Sequence, residues 1–438
     1  MSTPLRPGEM RRLLVIAFHY LPDNTSTGVL RTLKFTDYLR AHGWRSDVVT
    51  VPERMYRSVD PESVQRIPEE VSVHRPWARS VKELFGLRGI YPDLLALPDR
   101  FWPWLPGAVR MGLGLAKEKD VEAIYSTFPP ATAHLIGLRL KRKTGLPWIA
   151  DFRDPWVEDS MPPVRHRLEG WLEQRVLTSA DRVICNTPAM RRWFLEHYPS
   201  LPEERFVTIP NGYDEPDFQG IVPEARPSFE ILYPGMISGG NRNPRPLLAG
   251  IALALERGWL DRSDLQITFL GTGPYGARDR FREELAEHYL EDLCEVQVQR
   301  IPYSQAVARM AGADLLVVLS EPLGSTPEAA TERAWSHLQV PAKVYEYLRL
   351  GRPLLALVSG GAVAELLEET GAGSPVPPED EEGVAAVLRE AYANRKEPGV
   401  PPEPPAGIDR YSREHQAAEL AAVLEGCTAP AAAPYEAG

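Results

Sequence analysis

The sequence has little cysteine and lacks long apolar runs. Its 438 residues include only three cysteines, Cys185, Cys294 and Cys427. Their scattered positions and odd number exclude a disulfide framework and give no metal-ligand spacing. No window approaches the roughly 18 consecutive apolar residues that span a bilayer. The apolar run LLVIAF near the N-terminus has six residues and no small-residue cleavage site, so we interpret it as a first strand rather than a signal peptide. These absences predict a cytoplasmic protein.

An excess of positive charge is also missing. The chain has 49 Lys and Arg against 60 Asp and Glu, a net charge of -11, which argues against a nucleic-acid partner. Residues 1–220 carry 30 basic and 28 acidic residues, a balance of +2, whereas the remainder carries 19 and 32, a balance of -13. The asymmetry fits two domains with different partners, although solvated surface charge is the preferred interpretation for most of these residues.

Strand-like and helix-like segments alternate through most of the chain, which is long enough for about two or three domains. In the first half, apolar runs such as RLLVIAFHY, SDVVTV and PWIADF are separated by segments with helical spacing. The alternation stops at residues 209–230, which are dense in Pro, Gly, Asn and Asp, and then restarts. This pattern predicts an α/β protein with two doubly wound, Rossmann-like domains of parallel strands.

The predicted domain boundaries follow the same pattern. The N-terminal domain covers residues 1–218 and includes an irregular insertion at about 53–105, which is rich in Pro, Arg and Trp. The C-terminal domain covers residues 219–408. A closing helix is predicted at 409–426, and its return to the N-terminal domain is left open. Residues 427–438 are small and polar and are predicted to be disordered.

Four loops that follow predicted strands carry candidate ligand-binding residues. The loop FHYLPDNTSTG leads into a helix whose N-terminal amide groups suit an anion, with Gly28 at its start and Arg31 in its first turn. An ordinary capping loop explains it equally well. The loop PGMISGGNRNPRP combines glycines with fixed positive charge, and surface arginine on a turn is the alternative. Its residues of interest are Gly235, Gly239, Gly240, Arg242 and Arg245.

The other two loops lie further along the second half. In FLGTGP a diphosphate or a base edge could approach Gly271 and Gly273, but a plain tight turn is as good an interpretation. In QVPAKVYEYLRLGRP, Pro341 begins a helix that carries Lys343 in its first turn and Glu346 three residues later. The lysine and the helix N-terminus both attract phosphate, and the glutamate can accept hydrogen bonds from ribose hydroxyls. An i,i+3 surface pair is the alternative.

The stretch DFRDPW packs two acids and an arginine into the end of a buried strand. Asp151, Arg153 and Asp154 form either a catalytic cluster or a salt-bridged corner. His134, near the start of the helix after the strand EAIYST, either faces a ligand or is a helix-packing or solvent-facing histidine. No cluster with metal-ligand spacing stands out, so no metal is expected.

Taken together, the motifs resemble those of a known enzyme family. IPNGYDEPDF, the PG…R loop, FLGTGP, ADLLVVLS and VPAKVYEYLRLGRPLLAL occur in the order and spacing of retaining glycosyltransferases of family 4. DFRDPW resembles a motif of a bacterial subgroup. The resemblance implies the GT-B fold, with two Rossmann-like domains facing across a cleft. It also implies that the C-terminal domain binds a nucleotide-sugar donor and the N-terminal domain binds the acceptor, without a further cofactor.

The resemblance assigns donor-binding roles residue by residue. The family's diphosphate-binding lysine corresponds to Arg242, whereas its arginine corresponds to Met236, so Lys343 is expected to supply the missing charge. The ribose-binding glutamate corresponds to Glu346, but the family's first glutamate is replaced by Leu338. The predicted donor contacts also include glycines at the ends of strands. The glycines are Gly28, Gly235, Gly271 and Gly273.

Arg153 stands where many family members have a histidine near the transferred sugar. Arginine cannot act as a base near neutral pH, so Arg153 is expected to contact either a donor phosphate or the acceptor, or to be held by Asp151 and Asp154. The acceptor hydroxyl is deprotonated by the leaving phosphate or, if by a protein base, by one of these two acids. The acceptor-side residues are predicted to be Arg31, His134 and Asp154, and the electrostatic catalysts Arg242 and Lys343.

The leading prediction is a retaining, nucleotide-sugar-dependent glycosyltransferase of the hexosyltransferase kind, with a polysaccharide, lipid-linked or small-molecule acceptor. The alternatives are a binding subunit without turnover and a nucleotide-sugar epimerase of the same fold, because Met236 and Leu338 lack the family's charges. Contact of Trp102, Trp104 and Lys141–Lys143 with the inner face of a membrane is left open against a packed insertion and a solvated helix end.

Overall fold

The computed structural model describes residues 10–26, 28–86, 91–158, 161–324, 326–395, 400 and 402–428. They form two compact units: one runs to Pro210 and resumes at Arg413, and the other is Asn211–Ser412. The first boundary therefore lies earlier than the predicted 218/219, and the second lies later than the predicted 408/409. The reason is that Tyr213 bonds through its backbone N–H to the Tyr411 carbonyl at 3.1 Å, within the second unit.

The first unit is built on a seven-stranded parallel sheet with the order β3-β2-β1-β4-β5-β6-β7. The order reverses between β1 and β4, which makes the carboxyl ends of these strands a topological switch point, where ligands bind in such sheets. The strands are β1 (Arg11–Ile16), β2 (Trp44–Val49), β3 (Ser72–His74), β4 (Val121–Phe128), β5 (Trp148–Phe152), β6 (Arg182–Cys185) and β7 (Phe206–Thr208).

Helices cover this sheet, whose near-continuous apolar strands are buried, as in parallel sheets generally. They are α1 (Gly28–Tyr38), α2 (Val81–Phe85), α3 (Leu105–Glu118), α4 (Ala131–Thr144), α5 (Pro163–Ser179) and α6 (Pro188–His197). The described part of the predicted irregular insertion contains short helical turns and α2, and it also contains β3, which pairs with β2. Three half-buried residues, Ser72–His74, carry no apolar run, so the sequence pattern misses this edge strand.

The second unit has a six-stranded parallel sheet with the order β10-β9-β8-β11-β12-β13 and a switch point between β8 and β11. Its strands are β8 (Phe229–Pro234), β9 (Leu265–Leu270), β10 (Cys294–Gln297), β11 (Leu315–Leu319), β12 (Leu354–Leu357) and β13 (Gly373–Val376). Its helices are α7 (Arg245–Glu256), α8 (Asp279–Glu287), α9 (Tyr303–Gly312), α10 (Pro327–Ser336), α11 (Ala342–Leu350), α12 (Gly361–Thr370) and α13 (Glu381–Ala393).

The last helix, α14 (Arg413–Thr428), belongs to the first unit. Its residues Ala417, Leu420 and Leu424 are buried in that unit's core with Leu33 and Phe35 of α1. The predicted disordered tail lies largely outside the described residues, which end at Thr428.

The described residues contain neither a membrane-spanning helix nor a metal-binding cluster. No helix among them is long and apolar enough to cross a membrane, and no group of three or more His, Cys, Asp or Glu side chains among them is arranged to hold a metal ion.

Candidate active site

In the second unit, the loops that follow β8 and β9 are joined at the carboxyl edge of the sheet. The Gly235 N–H donates to the Leu270 carbonyl at 2.7 Å, and the Ile237 N–H donates to the Thr272 carbonyl at 3.2 Å. Gly235 has φ of 142°, a conformation that side chains rarely tolerate. The two glycine-containing loops predicted from sequence therefore form one backbone-lined surface beside the switch point.

Lys343 reaches this surface from the first turn of α11. Its Nζ donates to the Pro234 carbonyl at 3.2 Å and lies 4.0 Å from the centroid of the Tyr233 ring. A Cβ placed on Gly235 would be only 3.3 Å from the same Nζ. The absence of a side chain at position 235 thus makes room for the ammonium group at the end of β8.

The environment of Lys343 disfavours its positive charge. Burial, followed by repulsion from Arg242, lowers the pKa of Lys343 to about 7, although Glu346 acts in the opposite direction. Arg242 itself is exposed, in the loop after β8. A bound anion here would meet two cations and the N-terminal amide groups of α11, and it would raise the pKa of Lys343 again.

Glu346 lies one turn further along α11 and accepts a hydrogen bond from the Tyr303 hydroxyl at 3.0 Å. Burial and the nearby Glu346 carboxylate raise the pKa of Tyr303. Tyr303 begins α9 and was not predicted to be part of the site, since a tyrosine at a helix start gives no signal in the sequence. The pair can present hydroxyl and carboxylate oxygens to the hydroxyl groups of a ligand.

The structure separates other residues of these loops from Lys343. Arg245 forms an ion pair with Glu287 at 2.9 Å on the surface of the unit, so its charge is already compensated. The Met236 side chain is exposed and lies over Gly273, where a Cβ would be 3.5 Å from the Met236 Cγ. Leu338 is half-buried after α10. Met236 and Leu338 bring no charge to the surface, as expected from sequence.

In the first unit, Asp151 is paired with Arg31 rather than with Arg153. Arg31 donates to both carboxylate oxygens of Asp151, at 3.1 and 2.8 Å. Asp151 also accepts from the Tyr125 hydroxyl at 2.6 Å and the Thr127 hydroxyl at 3.0 Å. Burial would raise the pKa of Asp151, but Arg31 and its other donors lower it. Asp151 is fully buried, which corrects its assignment as a candidate base.

Arg31 is also corrected from an acceptor-side cation to an internal one. The residue is 1% exposed, and besides Asp151 its guanidinium donates to the carbonyls of Ile209 and Pro210, at 2.9 and 2.6 Å. Arg31 therefore links α1 to β5 and to Ile209 and Pro210, which end the N-terminal segment of the first unit. The salt-bridged-corner interpretation holds for Asp151, with a partner 120 residues away in sequence.

The Arg153 side chain turns to the end of β4. Its Nε donates to the Phe128 carbonyl at 2.7 Å, and its guanidinium lies against Gly28, where a Cβ would come within 1.4 Å of Nη1. Burial lowers the pKa of Arg153, opposed by Asp154 and Asp151. Burial raises the pKa of Asp154, opposed by Arg153. Arg153 and the start of α1 thus lie next to each other at the carboxyl end of the central strands.

His134 packs inside the first unit, as its alternative interpretation had it. It is fully buried, its Nδ1 lies 2.8 Å from the Ser126 Oγ, and its ring is 4.4 Å from that of Phe152. Burial lowers the pKa of His134 to about 3. Its assignment to the acceptor side is corrected, because no part of the ring meets solvent.

Three of the residues considered for membrane contact, Trp102, Trp104 and Lys141, make contacts within the first unit, whereas Arg142 and Lys143 are exposed. Trp104 is fully buried, Trp102 donates its indole N–H to the Leu95 carbonyl at 2.7 Å, and Lys141 forms an ion pair with Asp181 at 2.7 Å. The packed-insertion interpretation fits these contacts better than a bilayer contact.

A pair that sequence reasoning missed follows β1. His19 and Asp23 lie four residues apart in the loop FHYLPDNTSTG, and His19 Nδ1 is 2.6 Å from Asp23 Oδ2. The presence of a histidine and an aspartate in the loop after the first strand, at the switch point, is the sequence feature that could have indicated this pair.

Parts of the chain are similar in sequence to a known domain family and to a curated protein. Residues 28–212 match the family model of the glycosyl transferase 4-like domain. D-inositol 3-phosphate glycosyltransferase from Paenarthrobacter aurescens (strain TC1) is 29% identical over 221 residues, covering 45% of this chain and 50% of that protein. The alignment thus spans half the length of this curated relative.

Solved structures are similar over nearly the whole chain. A glycosyltransferase from Rickettsia africae ESF-5 has a TM-score of 0.62 at 13% identity and covers 96% of this chain and 99% of its own. Anabaena HepE in complex with UDP has a TM-score of 0.60 at 16% identity and covers 95% and 100%. The chain has the GT-B fold. The predicted fold class of this GT-B protein is confirmed, and the DFRDPW subgroup stays a prediction.

Proposed function

We propose that this protein is a retaining glycosyltransferase that moves a sugar from a nucleoside diphosphate sugar to an acceptor hydroxyl. The observation that carries the proposal is the position of Lys343, whose Nζ lies against Gly235 and the Pro234 carbonyl at the switch point of the second unit. A half-buried lysine at a helix N-terminus beside a glycine loop is suited to a diphosphate. The match to the glycosyl transferase 4-like domain supports the same activity from the first unit.

In this proposal the second unit binds the donor. Lys343, Arg242 and the N-terminal amide groups of α11 hold the diphosphate, and Glu346 accepts hydrogen bonds from the ribose. Anabaena HepE has been solved with UDP and with UDP-glucose, which supports a nucleoside diphosphate as the first ligand to test. Gly271 and Gly273 lie on the neighbouring loop, where the Arg300 and Met236 side chains approach them.

The chemistry follows from where charge develops. The bond between the anomeric carbon and the leaving oxygen breaks, the sugar gains oxocarbenium character, and negative charge accumulates on the diphosphate. Cations that are already in position stabilise that charge without reorganising, which is typically the largest single contribution to such catalysis. Because the pKa of Lys343 is about 7 without ligand, donor binding is proposed to draw a proton onto it. The residues proposed for this step need no metal.

The first unit is proposed to provide the acceptor side, with Arg153 and Asp154 at the carboxyl end of the central strands. The curated relative acts, by its name, on D-inositol 3-phosphate, so a polyol phosphate is the first acceptor to test. Arg153 beside the N-terminus of α1 suits a phosphate on such an acceptor.

The test is a transfer assay read by product mass. UDP-glucose, UDP-N-acetylglucosamine and GDP-mannose are each incubated with the protein, with and without D-inositol 3-phosphate or methyl glucoside, in the presence of a chelator. Formation of an acceptor one hexose heavier supports the proposal, and proton NMR of the anomeric signal reports retention. A donor altered without acceptor would indicate an epimerase, and binding without turnover a binding subunit; either result would contradict the proposal.

A further inference from the structure

The loop that follows β11 in the second unit contains a buried carboxylate, Glu321, whose side chain is 0% exposed. Its Oε1 lies 2.7 Å from His337 Nε2 and accepts the Ser359 backbone N–H at 2.8 Å, and its Oε2 accepts the Ser359 hydroxyl at 2.6 Å. Burial would raise the pKa of Glu321, but the hydrogen bonds from His337 and Ser359 lower it below its usual value. Because an ionised carboxylate can only accept, His337 carries a hydrogen on Nε2 and keeps Nδ1 for a ligand.

The backbone of His337 is fixed by the loop that follows β12. Its carbonyl accepts from the Ala362 N–H at 2.8 Å. Gly361 packs directly against it: the φ angle of Gly361 is 75°, and a Cβ there would lie 2.4 Å from the His337 Cα, so only glycine leaves room. The exposed fraction of the His337 side chain is nevertheless 33%. An accessible ring held in this way loses little freedom when it binds a ligand.

His337 lies beside the proposed donor site. It stands in the short segment between α10 and α11, and α11 carries Lys343 in its first turn. The helix α10 also approaches the glycine loop after β8, because a Cβ on Gly240 would be 3.5 Å from Glu332 Oε1. Glu321, which holds the ring, follows β11, the strand that pairs with β8. The histidine and the proposed diphosphate-binding lysine thus belong to the same edge of one sheet.

The strand order arranges the proposed ligand contacts in a row along this edge. The sheet has the order β10-β9-β8-β11-β12-β13. Tyr303, which donates to Glu346, begins the helix after β10, Lys343 reaches the end of β8, and His337 is held by the loops after β11 and β12. A ribose at Glu346 and a diphosphate at Lys343 would therefore direct the rest of a nucleotide sugar toward β11 and β12.

From this geometry we propose that His337 binds a hydroxyl group of the sugar carried by the nucleoside diphosphate, and that it thereby helps to select the donor. The proposal rests on the proposed glycosyltransferase function and names a residue for sugar recognition, to which the neighbouring Leu338 brings no polar side-chain atom. A neutral imidazole accepts the hydrogen of a sugar hydroxyl at Nδ1, and a protonated one donates to the hydroxyl oxygen. Glu321 keeps the ring in place in both cases.

The competing interpretation is a structural cluster that only joins the loops after β11 and β12. His337→Gln separates the two roles, because the glutamine amide nitrogen can replace Nε2 as the donor to Glu321, whereas no atom replaces Nδ1. The matched control is His288→Gln, which removes a half-buried histidine at the end of α8 in the same unit. Thermal melting of the wild type and both variants compares their stability.

Calorimetric titrations compare each nucleoside diphosphate with its sugar conjugates: UDP with UDP-glucose and UDP-N-acetylglucosamine, and GDP with GDP-mannose. The wild type is expected to bind at least one conjugate. His337→Gln should weaken the binding of that conjugate roughly tenfold, as expected for the loss of one hydrogen bond, and should leave the Kd of the matching nucleoside diphosphate within about twofold. His288→Gln should change neither affinity.

Three results would overturn the proposal. Equal weakening of the nucleoside diphosphate and its conjugate would show that His337 acts only through the fold, and an unchanged affinity for the conjugate would show that it does not meet the sugar. Wild-type binding of UDP or GDP without any of the three conjugates would leave no sugar contact to assign. Failure of the proposed function is distinguishable, because the wild type would then bind a conjugate, with the same loss in His337→Gln, but transfer no sugar.

Discussion

The ammonium group of Lys343 lies 4.0 Å from the centroid of the Tyr233 ring and 3.2 Å from the Pro234 carbonyl oxygen. The ring face and the carbonyl both attract the charged form of the lysine, yet burial and Arg242 keep its pKa near 7. A cation held in place but poorly stabilised gains most from an anionic ligand. This relationship underlies the proposed donor site.

Removal of the Lys343 charge should abolish most of the activity. Lys343→Ala is expected to lower turnover about 100-fold or more, because the charge on the leaving diphosphate loses one of the two cations proposed to stabilise it. The measurement is the steady-state rate with the donor and acceptor found in the transfer assay. Lys141→Ala, which removes a lysine paired with Asp181 in the other unit, should leave the rate nearly unchanged; equal rates for both variants would refute the role of Lys343.

Donor affinity should depend on pH through Lys343. Its pKa is lowered to about 7, so the free protein holds a charged lysine below pH 7 and loses that charge as the pH rises. The affinity for UDP-glucose should therefore fall between about pH 7 and 8.5, by up to about tenfold per pH unit. Lys343→Arg, which is always charged, should bind with little pH dependence over this range. Calorimetry in buffers of different ionisation enthalpy should also show proton uptake on binding at pH 8 to the wild type alone.

Gly235→Ala should damage the donor site locally. Position 235 has φ of 142°, which strains any side chain, and the new Cβ would lie 3.3 Å from Lys343 Nζ. We expect a loss of roughly 1–3 kcal/mol in stability and weaker UDP binding. Gly114→Ala is the control, because a Cβ there meets no atom within 4 Å in α3, and it should keep UDP affinity. Unchanged affinity in Gly235→Ala would contradict the proposed arrangement.

Asp151→Asn should destabilise the first unit without a specific effect on chemistry. The change leaves the buried guanidinium of Arg31 without its carboxylate, which typically costs about 3–5 kcal/mol. Glu203→Gln, which breaks the surface pair with Arg191, should cost less than about 1 kcal/mol. Urea denaturation measures both free energies of unfolding. A loss below 1 kcal/mol in Asp151→Asn would show that the pair does not hold this corner together.

Gly28 and Arg153 should be coupled in a double-mutant cycle. A Cβ at position 28 would overlap the Arg153 guanidinium, at 1.4 Å, so Gly28→Ala alone must displace that side chain. With Arg153→Ala in the same chain the obstacle is gone. The double variant should therefore be less destabilised than the sum of the two single variants, by about 0.5–3 kcal/mol. Additive free energies of unfolding would indicate that Arg153 does not lie against Gly28 in solution.

Much of the fold was predictable because parallel strands leave a strong signal. Buried runs such as Leu315–Leu319 and Leu354–Leu357 are wholly apolar, and helical segments separate them. The predicted unit boundary was several residues too late, because the loop after Pro210 has no periodicity. Long-range hydrogen bonds such as that from Tyr213 to Tyr411 place this loop in the second unit. The return of α14 was left open because it depends on packing against α1, which the helix's own sequence does not specify.

The candidate site was predictable only in part. The loop glycines and Lys343 could be listed from sequence, but the contact of Lys343 with Tyr233 and Pro234 depends on how α11 meets β8. The sequence left the pairing in DFRDPW open; in the structure Asp151 pairs with Arg31 on α1, and Arg153 donates to the Phe128 carbonyl. The sequence did not predict the His19–Asp23 pair, because a histidine and an aspartate four residues apart in a loop meet only if the backbone turns between them.

The donor site proposed at Lys343 is tested most directly by a calorimetric titration of the wild-type protein and Lys343→Ala with UDP and with GDP. We expect saturable binding of at least one nucleotide at one site per chain, with a clear loss of affinity in Lys343→Ala. Absence of binding of both nucleotides to the wild type, or equal affinity in the two proteins, would contradict the donor site proposed at Lys343.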